Sequence, residues 1–163
     1  MPELTRGFLR RVRPAGIALA VALTLSACAA APPRPAPAPQ AAASSKDALY
    51  RDLGGGEGIA KVTDAFLARV HDDLRINLFF ENTDLKDLRR LVIEQLCEAT
   101  GGPCKYTGRP MEEAHSGLNL TDADFAAFVE DLVATLNEFK VPKPTQDRLL
   151  AILGPMKPQI VGQ

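Results

Sequence analysis

Apolar side chains between residues 46 and 163 recur every three or four positions. Ile59, Val62, Phe66 and Val70 form one stripe, and Leu67 widens it. Leu85, Leu88, Leu91, Val92 and Leu96 repeat the spacing over 83–99. The clearest run is Phe125, Phe128, Val129, Leu132, Val133, Leu136 and Phe139. Thr121 opens it with Asp124 three residues on, the spacing of a capping box. Leu149, Leu150, Ile152, Leu153, Met156 and Ile160 predict a last helix, bent at Pro155 because proline lacks the N–H that continues the helical ladder. Residues three and four apart share one helical face, so each stripe is a face turned to a core. No stretch alternates with a period of two for long enough to be a strand, and no internal repeat stands out. The pattern predicts an all-α domain of four main helices.

The junctions between these helices are rich in glycine. Gly54, Gly55, Gly56 and Gly58 crowd the first, Gly101, Gly102 and Gly108 the middle one, and Gly117 follows His115. Such clusters predict tight turns with close backbone approach. A phosphate loop would need a preceding strand and a Gly-Lys-Ser/Thr ending, and neither is present.

Before residue 46 the pattern changes. Residues 1–27 hold Arg6, Arg10, Arg11 and Arg13 against Glu3 alone, followed by an apolar stretch over 17–25 broken only by Thr24. That run is shorter than the roughly 20 apolar residues a membrane-spanning helix needs. A positive start, a short apolar centre and small residues before a cleavage point describe a secretory signal. It ends in Leu25-Ser26-Ala27-Cys28, which resembles a bacterial lipobox and implies lipidation of Cys28. Residues 29–45 contain five prolines and no apolar side chain larger than alanine, so 28–45 is a tether and not a core. Fully extended as polyproline it would reach ~50 Å. The expected organisation is a signal peptide over 1–27, a tether over 28–45 and a folded domain over 46–163. Such a protein is exported and lipid-anchored, facing the periplasm or the cell surface.

Composition narrows the chemistry. Lys plus Arg number 19 against 20 Asp plus Glu, so no basic excess points to nucleic acid. The formal charge is −1, or −4 once the basic first 27 residues are set aside. The chain has two histidines, three cysteines and no tryptophan. A metal held by protein groups alone needs three or four convergent ligands, and this domain is too poor in them. Cysteine–histidine hydrolysis would need a cysteine at a helix N-terminus, where its pKa falls, and none is placed there. Haem needs only one imidazole and an apolar slot. His115 lies in a short helical turn within 110–117; from spacing alone it is a half-buried polar residue or such a ligand. There is no Cys-x-x-Cys-His attachment motif, so any haem would be non-covalent. His71, beside Asp72 and Asp73, is either a solvated cation at a helix end or a second, distal ligand.

Several short motifs, in order, carry a resemblance. Leu49-Tyr50 with Leu53-Gly54-Gly55, Phe79-Phe80, Gly101-Gly102-Pro103, Tyr106-Thr107-Gly108 and Met111-x-x-x-His115-x-Gly117 resemble the group 1 truncated haemoglobins across the whole 46–163 domain. The resemblance implies a two-over-two helical sandwich around haem b. It makes His115 the proximal iron ligand, Phe80 the ring that wedges against the porphyrin, and Met111 a proximal-side contact. Leu88, Val92 and Phe125 would line the porphyrin faces. Tyr106 and Arg109, with Lys105 and Thr107, would meet the propionates, and Arg89 and Arg90 are further candidates for that role.

The same resemblance exposes a departure. Members of the group often carry a tyrosine and a glutamine that grip bound O2. Here Leu67 stands at the tyrosine position, Leu88 and Val92 face the iron, and Gln95 is the nearest polar residue, one turn along. A distal pocket of Leu67, Leu88, Val92 and Gln95 predicts fast O2 release. The expected function is reversible binding of a diatomic gas (O2, CO or NO) at pentacoordinate iron, in transport, scavenging or sensing. The alternatives are an enzyme turning over NO or peroxide, and a haemless structural lipoprotein. Cys97 and Cys104 lie seven apart across Gly101-Gly102-Pro103, so the chain can fold back to disulfide distance. In an exported protein such a bond persists; otherwise the two pack as separate small hydrophobes.

Overall fold

The computed structural model describes residues 46–163. The signal segment, Cys28 and the tether lie outside the described residues. Six α-helices and two 3-10 segments follow in order, with no strand among the described residues. They are α1 (Ala48–Asp52), α2 (Gly55–Asp72), a 3-10 turn (Asn77–Phe80), α3 (Leu85–Ala99), α4 (Met111–His115), α5 (Asp122–Glu138), α6 (Lys143–Leu153) and a second 3-10 segment (Gly154–Gln159).

The four apolar stripes become α2, α3, α5 and α6. The long α2 packs against both α3 and α5, and α1 packs against α2 and α6. Ile59, Val62, Phe66 and Val70 of α2 are buried with Leu96, Leu132, Leu136 and Leu149. The Phe66 and Phe128 rings meet edge to face at 4.8 Å, joining α2 to α5. The capping box forms as its spacing predicts. The Asp124 backbone N–H donates to Thr121 Oγ1 at 3.3 Å, and the Thr121 N–H donates to Asp124 at 2.8 Å. Asp84 caps α3 in one direction only, accepting from the Lys86 and Asp87 N–H groups.

Two glycines explain the tight junctions. A Cβ on Gly58 would lie 2.1 Å from the Leu53 carbonyl oxygen, so only glycine lets α2 start hard against the end of α1. Gly101 has φ +87°, and its Cβ would fall 1.7 Å from the Lys46 carbonyl oxygen. The loop after α3 is thereby closed onto the N-terminal edge of the domain.

Two expectations need adjustment, and one element, the first 3-10 turn, has no signal in the apolar pattern. The last helix does not simply bend at Pro155; α6 ends at Leu153 and the chain tightens into a 3-10 segment carrying Pro155 and Pro158. Phe139 does not extend the α5 stripe, because α5 stops at Glu138 and Phe139 is 40% exposed. The 3-10 turn holding Phe79 and Phe80 has no apolar periodicity of its own.

Candidate functional site

Several apolar side chains of α2, α3, α4, α5 and the first 3-10 turn are only partly covered. Leu67, Phe80, Leu88, Leu91, Val92, Met111 and Phe125 are all only half-buried. Phe80 and Val92 pack partly against the core and Lys157 Nζ stands 5.7 Å from the Phe125 ring centroid, and the apolar surface left over is exposed. Covering it would contribute at ~25 cal/mol per Å².

His115 stands at the end of α4. This short helix is bounded by Pro110 before it and by Ser116, with extended dihedrals, and Gly117 (φ +82°) after it. It packs against the second 3-10 segment. The segment following it is tied to the C-terminus, where Asn119 N–H donates to the Gln163 carbonyl and Gly162 N–H to that of Leu120, both at 2.9 Å. The half-buried His115 ring has its Nδ1 2.7 Å from the Met111 carbonyl oxygen. A carbonyl only accepts, so Nδ1 carries the proton. In the neutral ring Nε2 is then the unprotonated nitrogen, with its lone pair available to a metal. The sequence predicts the imidazole; the carbonyl that fixes its tautomer is visible only in the structure.

The loop from 100 to 110 is held on both sides. A disulfide joins Cys97, fully buried in α3, to Cys104, with a Cα separation of 5.7 Å. Glu98 accepts the Tyr106 N–H at 2.8 Å, and Glu94 accepts the Thr107 N–H and hydroxyl at 3.0 and 2.7 Å. The Thr107 hydroxyl and the Arg90 guanidinium beside it hold the Glu94 carboxyl below its usual range. Tyr106 donates its hydroxyl to the Arg109 carbonyl at 2.9 Å, so it shapes the loop's own backbone. Burial pushes that hydroxyl's pKa up. Glu94 and Glu98, absent from the sequence-based site, carry one readable signal. With Arg90 they repeat every four residues along α3.

The arginines of α3 form ion pairs. Arg89 pairs with Asp64 of α2, and Arg90 bonds Asp87, Glu94 and the Thr107 hydroxyl. Both guanidinium groups are nearly half exposed, so these are surface ion pairs of the kind that contribute little. Arg109 reaches only the Glu113 carbonyl, at 3.3 Å, and the exposed Lys105 has no ion pair among the described residues. Both side chains are exposed in the loop between α3 and α4.

Gln95 engages two sulfur atoms. Its amide donates to the sulfurs of Met111 and Met156, at 3.4 and 3.7 Å. With Glu98, Ala99, Tyr106 and Pro110 these three residues line a cavity of about 260 Å³. Gln95 thus bridges α3 to α4 and the C-terminal 3-10 segment, while Leu67, Leu88 and Val92 are each half-buried. His71 is exposed and lines a separate cavity of about 190 Å³ with Asn77, Phe80, Glu81, Thr83 and Leu85. No cluster of three or more His, Cys, Asp or Glu side chains that could hold a metal ion occurs among the described residues.

With this geometry in place, the comparisons with known proteins become specific. The sequence profile of the bacterial-like globins matches residues 48–161. A group 1 truncated hemoglobin of Mycolicibacterium paratuberculosis is 32% identical over 113 residues, covering 69% of this chain and 83% of that protein. The chain belongs to the group 1 truncated haemoglobins. A member from Synechocystis is 39% identical over 110 residues, covering 65% of this chain and 89% of its own length. Among solved structures, the truncated hemoglobin of Tetrahymena pyriformis in its Fe(III) form superposes with a TM-score of 0.69 at 31% identity, covering 71% of this chain and 98% of that one. The 2/2 hemoglobin of Synechococcus sp. PCC 7002, with covalently attached heme, gives a TM-score of 0.66 at 31% identity. The described residues therefore form the two-over-two truncated globin fold, a fold built around haem b and the binding of diatomic gases. The residues here fit that group. One imidazole has Nδ1 committed to a backbone carbonyl, and α2, α3, α4 and α5 each carry half-buried apolar side chains.

Proposed function

We propose that this truncated haemoglobin holds haem b through His115 and binds a diatomic gas reversibly, in transport, scavenging or sensing. The observation that carries the reading is the Nδ1–H of His115 on the Met111 carbonyl, which leaves Nε2 free beside a half-buried apolar surface. Haem held there would supply an iron able to take O2, CO or NO. The chain's own residues decide how such a ligand is treated. His115 is held in one tautomer and one orientation by its backbone partner. Phe80, Met111 and Phe125 exclude water from the apolar faces, while Lys105 and Arg109 draw the carboxylates to the edge. Leu67, Leu88 and Val92 offer no hydrogen-bond donor and no acid–base group to the ligand. Binding is therefore favoured over turnover of NO or peroxide, which would want a proton donor in that position.

The address belongs to the same reading. Cys28 would be lipidated after removal of 1–27, and the 28–45 tether would hold the domain off the membrane surface. Metabolic labelling with a palmitate analogue should mark the wild type and not Cys28→Ala; label that persists in the variant would end this part of the reading.

Absorption spectra of the oxidised, reduced and CO-bound protein test the haem assignment. The wild type should show a Soret band that responds to CO. His115→Ala should lose haem or most of its affinity for it, and an unchanged Soret spectrum in that variant would overturn the proximal role.

A further inference from the structure

Both methionines of the folded domain converge on one amide. Apart from Met1, the chain's methionines are Met111 and Met156. They come from α4 and the C-terminal 3-10 segment, and both sulfurs lie within hydrogen-bond reach of Gln95 Nε2, at 3.4 and 3.7 Å. All three side chains are half-buried and line the same cavity of about 260 Å³. A thioether is a weak acceptor. An amide N–H pair aimed at two thioethers, between Ala99, Pro110 and the Tyr106 ring, is thus poorly satisfied as it stands.

We propose that Met111 and Met156 are a paired oxidation site, at which a peroxide converts the thioethers to sulfoxides whose oxygen accepts a hydrogen bond from Gln95. In the step, a sulfur lone pair attacks one peroxide oxygen and the S–O bond forms as the O–O bond breaks. The sulfonium hydroxyl then gives its proton to the departing hydroxide. One sulfoxide and one water result from hydrogen peroxide, with sulfur oxidised by two electrons and the peroxide reduced by two. A sulfoxide normally disrupts an apolar site because it brings a polar group without a partner. Here the donor already points at both sulfurs, so oxidation exchanges a weak acceptor for a strong one. The modification is reversible by methionine sulfoxide reductases. Met111 also supplies the carbonyl that orients His115, which places the oxidised residue in the same turn as the imidazole.

The inference rests on the sulfur–amide geometry and not on the gas-binding reading, and its test reads mass and folding instead of a haem spectrum. The full chain is treated with hydrogen peroxide in its native state and mapped by peptide mass spectrometry, then unfolded in urea before and after treatment. Met111 and Met156 should each gain one oxygen while the protein remains folded. Oxidation should reduce the folded-to-unfolded ratio about fivefold less in the wild type than in Gln95→Leu, which lacks the donor. Gln95→Glu, whose carboxylate only accepts, should behave as Gln95→Leu does and serves if that variant fails to fold. Methionines that resist peroxide until the chain unfolds would overturn the proposal. So would equal losses on oxidation with and without the Gln95 donor.

Discussion

Replacing Cys104 by serine cuts the covalent link between α3 and the following loop while leaving Cys97 packed in the core as a small apolar residue. Cys97 is fully buried, so its substitution would confound loss of the link with loss of packing; Cys104 is only half-buried and avoids this. The bond closes a loop of sequence separation 7. On the chain-entropy model, a closed loop of that size restricts the unfolded ensemble by ~2.4 kcal/mol at 25 °C. A domain of about 118 residues unfolds with an entropy of about 0.25 kcal/mol/K, so Cys104→Ser should lower Tm by roughly 10 °C. Thermal unfolding of the oxidised full chain, followed by far-UV circular dichroism, gives the comparison. The wild type in a thiol reductant should fall to the variant's Tm, and the variant should not respond to reductant. The denaturant m value should rise in the variant, because its unfolded chain is no longer cross-linked. A variant within about 2 °C of the oxidised wild type would refute the reasoning. It would mean that Glu94, Glu98 and the Gly101 contact hold the loop so firmly that the link adds nothing.

Three further outcomes follow from other residues. Leu67→Tyr should place a donor beside the ligand and slow O2 dissociation by roughly ten- to a hundredfold in stopped-flow measurements, while CO dissociation barely changes; slow O2 release in the wild type would contradict the apolar pocket. Asp131 is buried in α5 with Oδ2 lacking a donor, and burial, with the negative charge of Asp73, raises its pKa from 3.8. A carboxyl whose pKa is raised on folding is at no disadvantage below the unfolded value and becomes destabilising as pH rises through the folded one. Asp131→Asn should therefore gain ~1 kcal/mol at pH 7 in urea unfolding, a gain that vanishes as pH falls below the ordinary aspartate range; a gain independent of pH would exclude the charge as its cause. Thr121→Ala removes the side-chain half of the α5 cap and should cost ~1 kcal/mol by the same assay, whereas a change under about 0.3 kcal/mol would show that the cap is redundant.

The sequence reveals most where one physical demand dominates. The stripes of α2, α3 and α5 can be read because half of each helix must be apolar to meet a core, and the Thr121–Asp124 cap because its chemistry needs a fixed spacing. The Cys97–Cys104 pairing is within reach because two intervening glycines let the chain reverse. His115 becomes legible as a ligand only through the motifs around it, since one imidazole has no spacing signature. Other features depend on distant partners. Arg89 and Arg90 look like free cations until Asp64 and Glu94 are brought beside them. The polar residues Thr63, Thr135 and Gln146 are buried on faces read only for their apolar members. Gln146 is buried because it donates to Asn137 Oδ1 and the Val141 carbonyl, closing the turn from α5 to α6. Gln95 sits at a position from which it can turn either way, and only the packing of Met111 and Met156 decides the direction.

The imidazole rides on the least self-sufficient element of the fold. A helix of five residues has scarcely one turn of its own hydrogen bonds, far below the length at which helices persist unaided in water. Its order is borrowed from the second 3-10 segment and from the ties at Asn119 and Leu120. In hydrogen exchange, the amides of 111–117 should therefore open in small local fluctuations long before the interiors of α2 or α5 do. A haem attached through His115 would draw its residence time from those openings as well as from the strength of the iron–nitrogen bond. Filling the cleft should, in turn, slow exchange most in this segment, so that the cofactor acts as the clamp for the very turn that holds it.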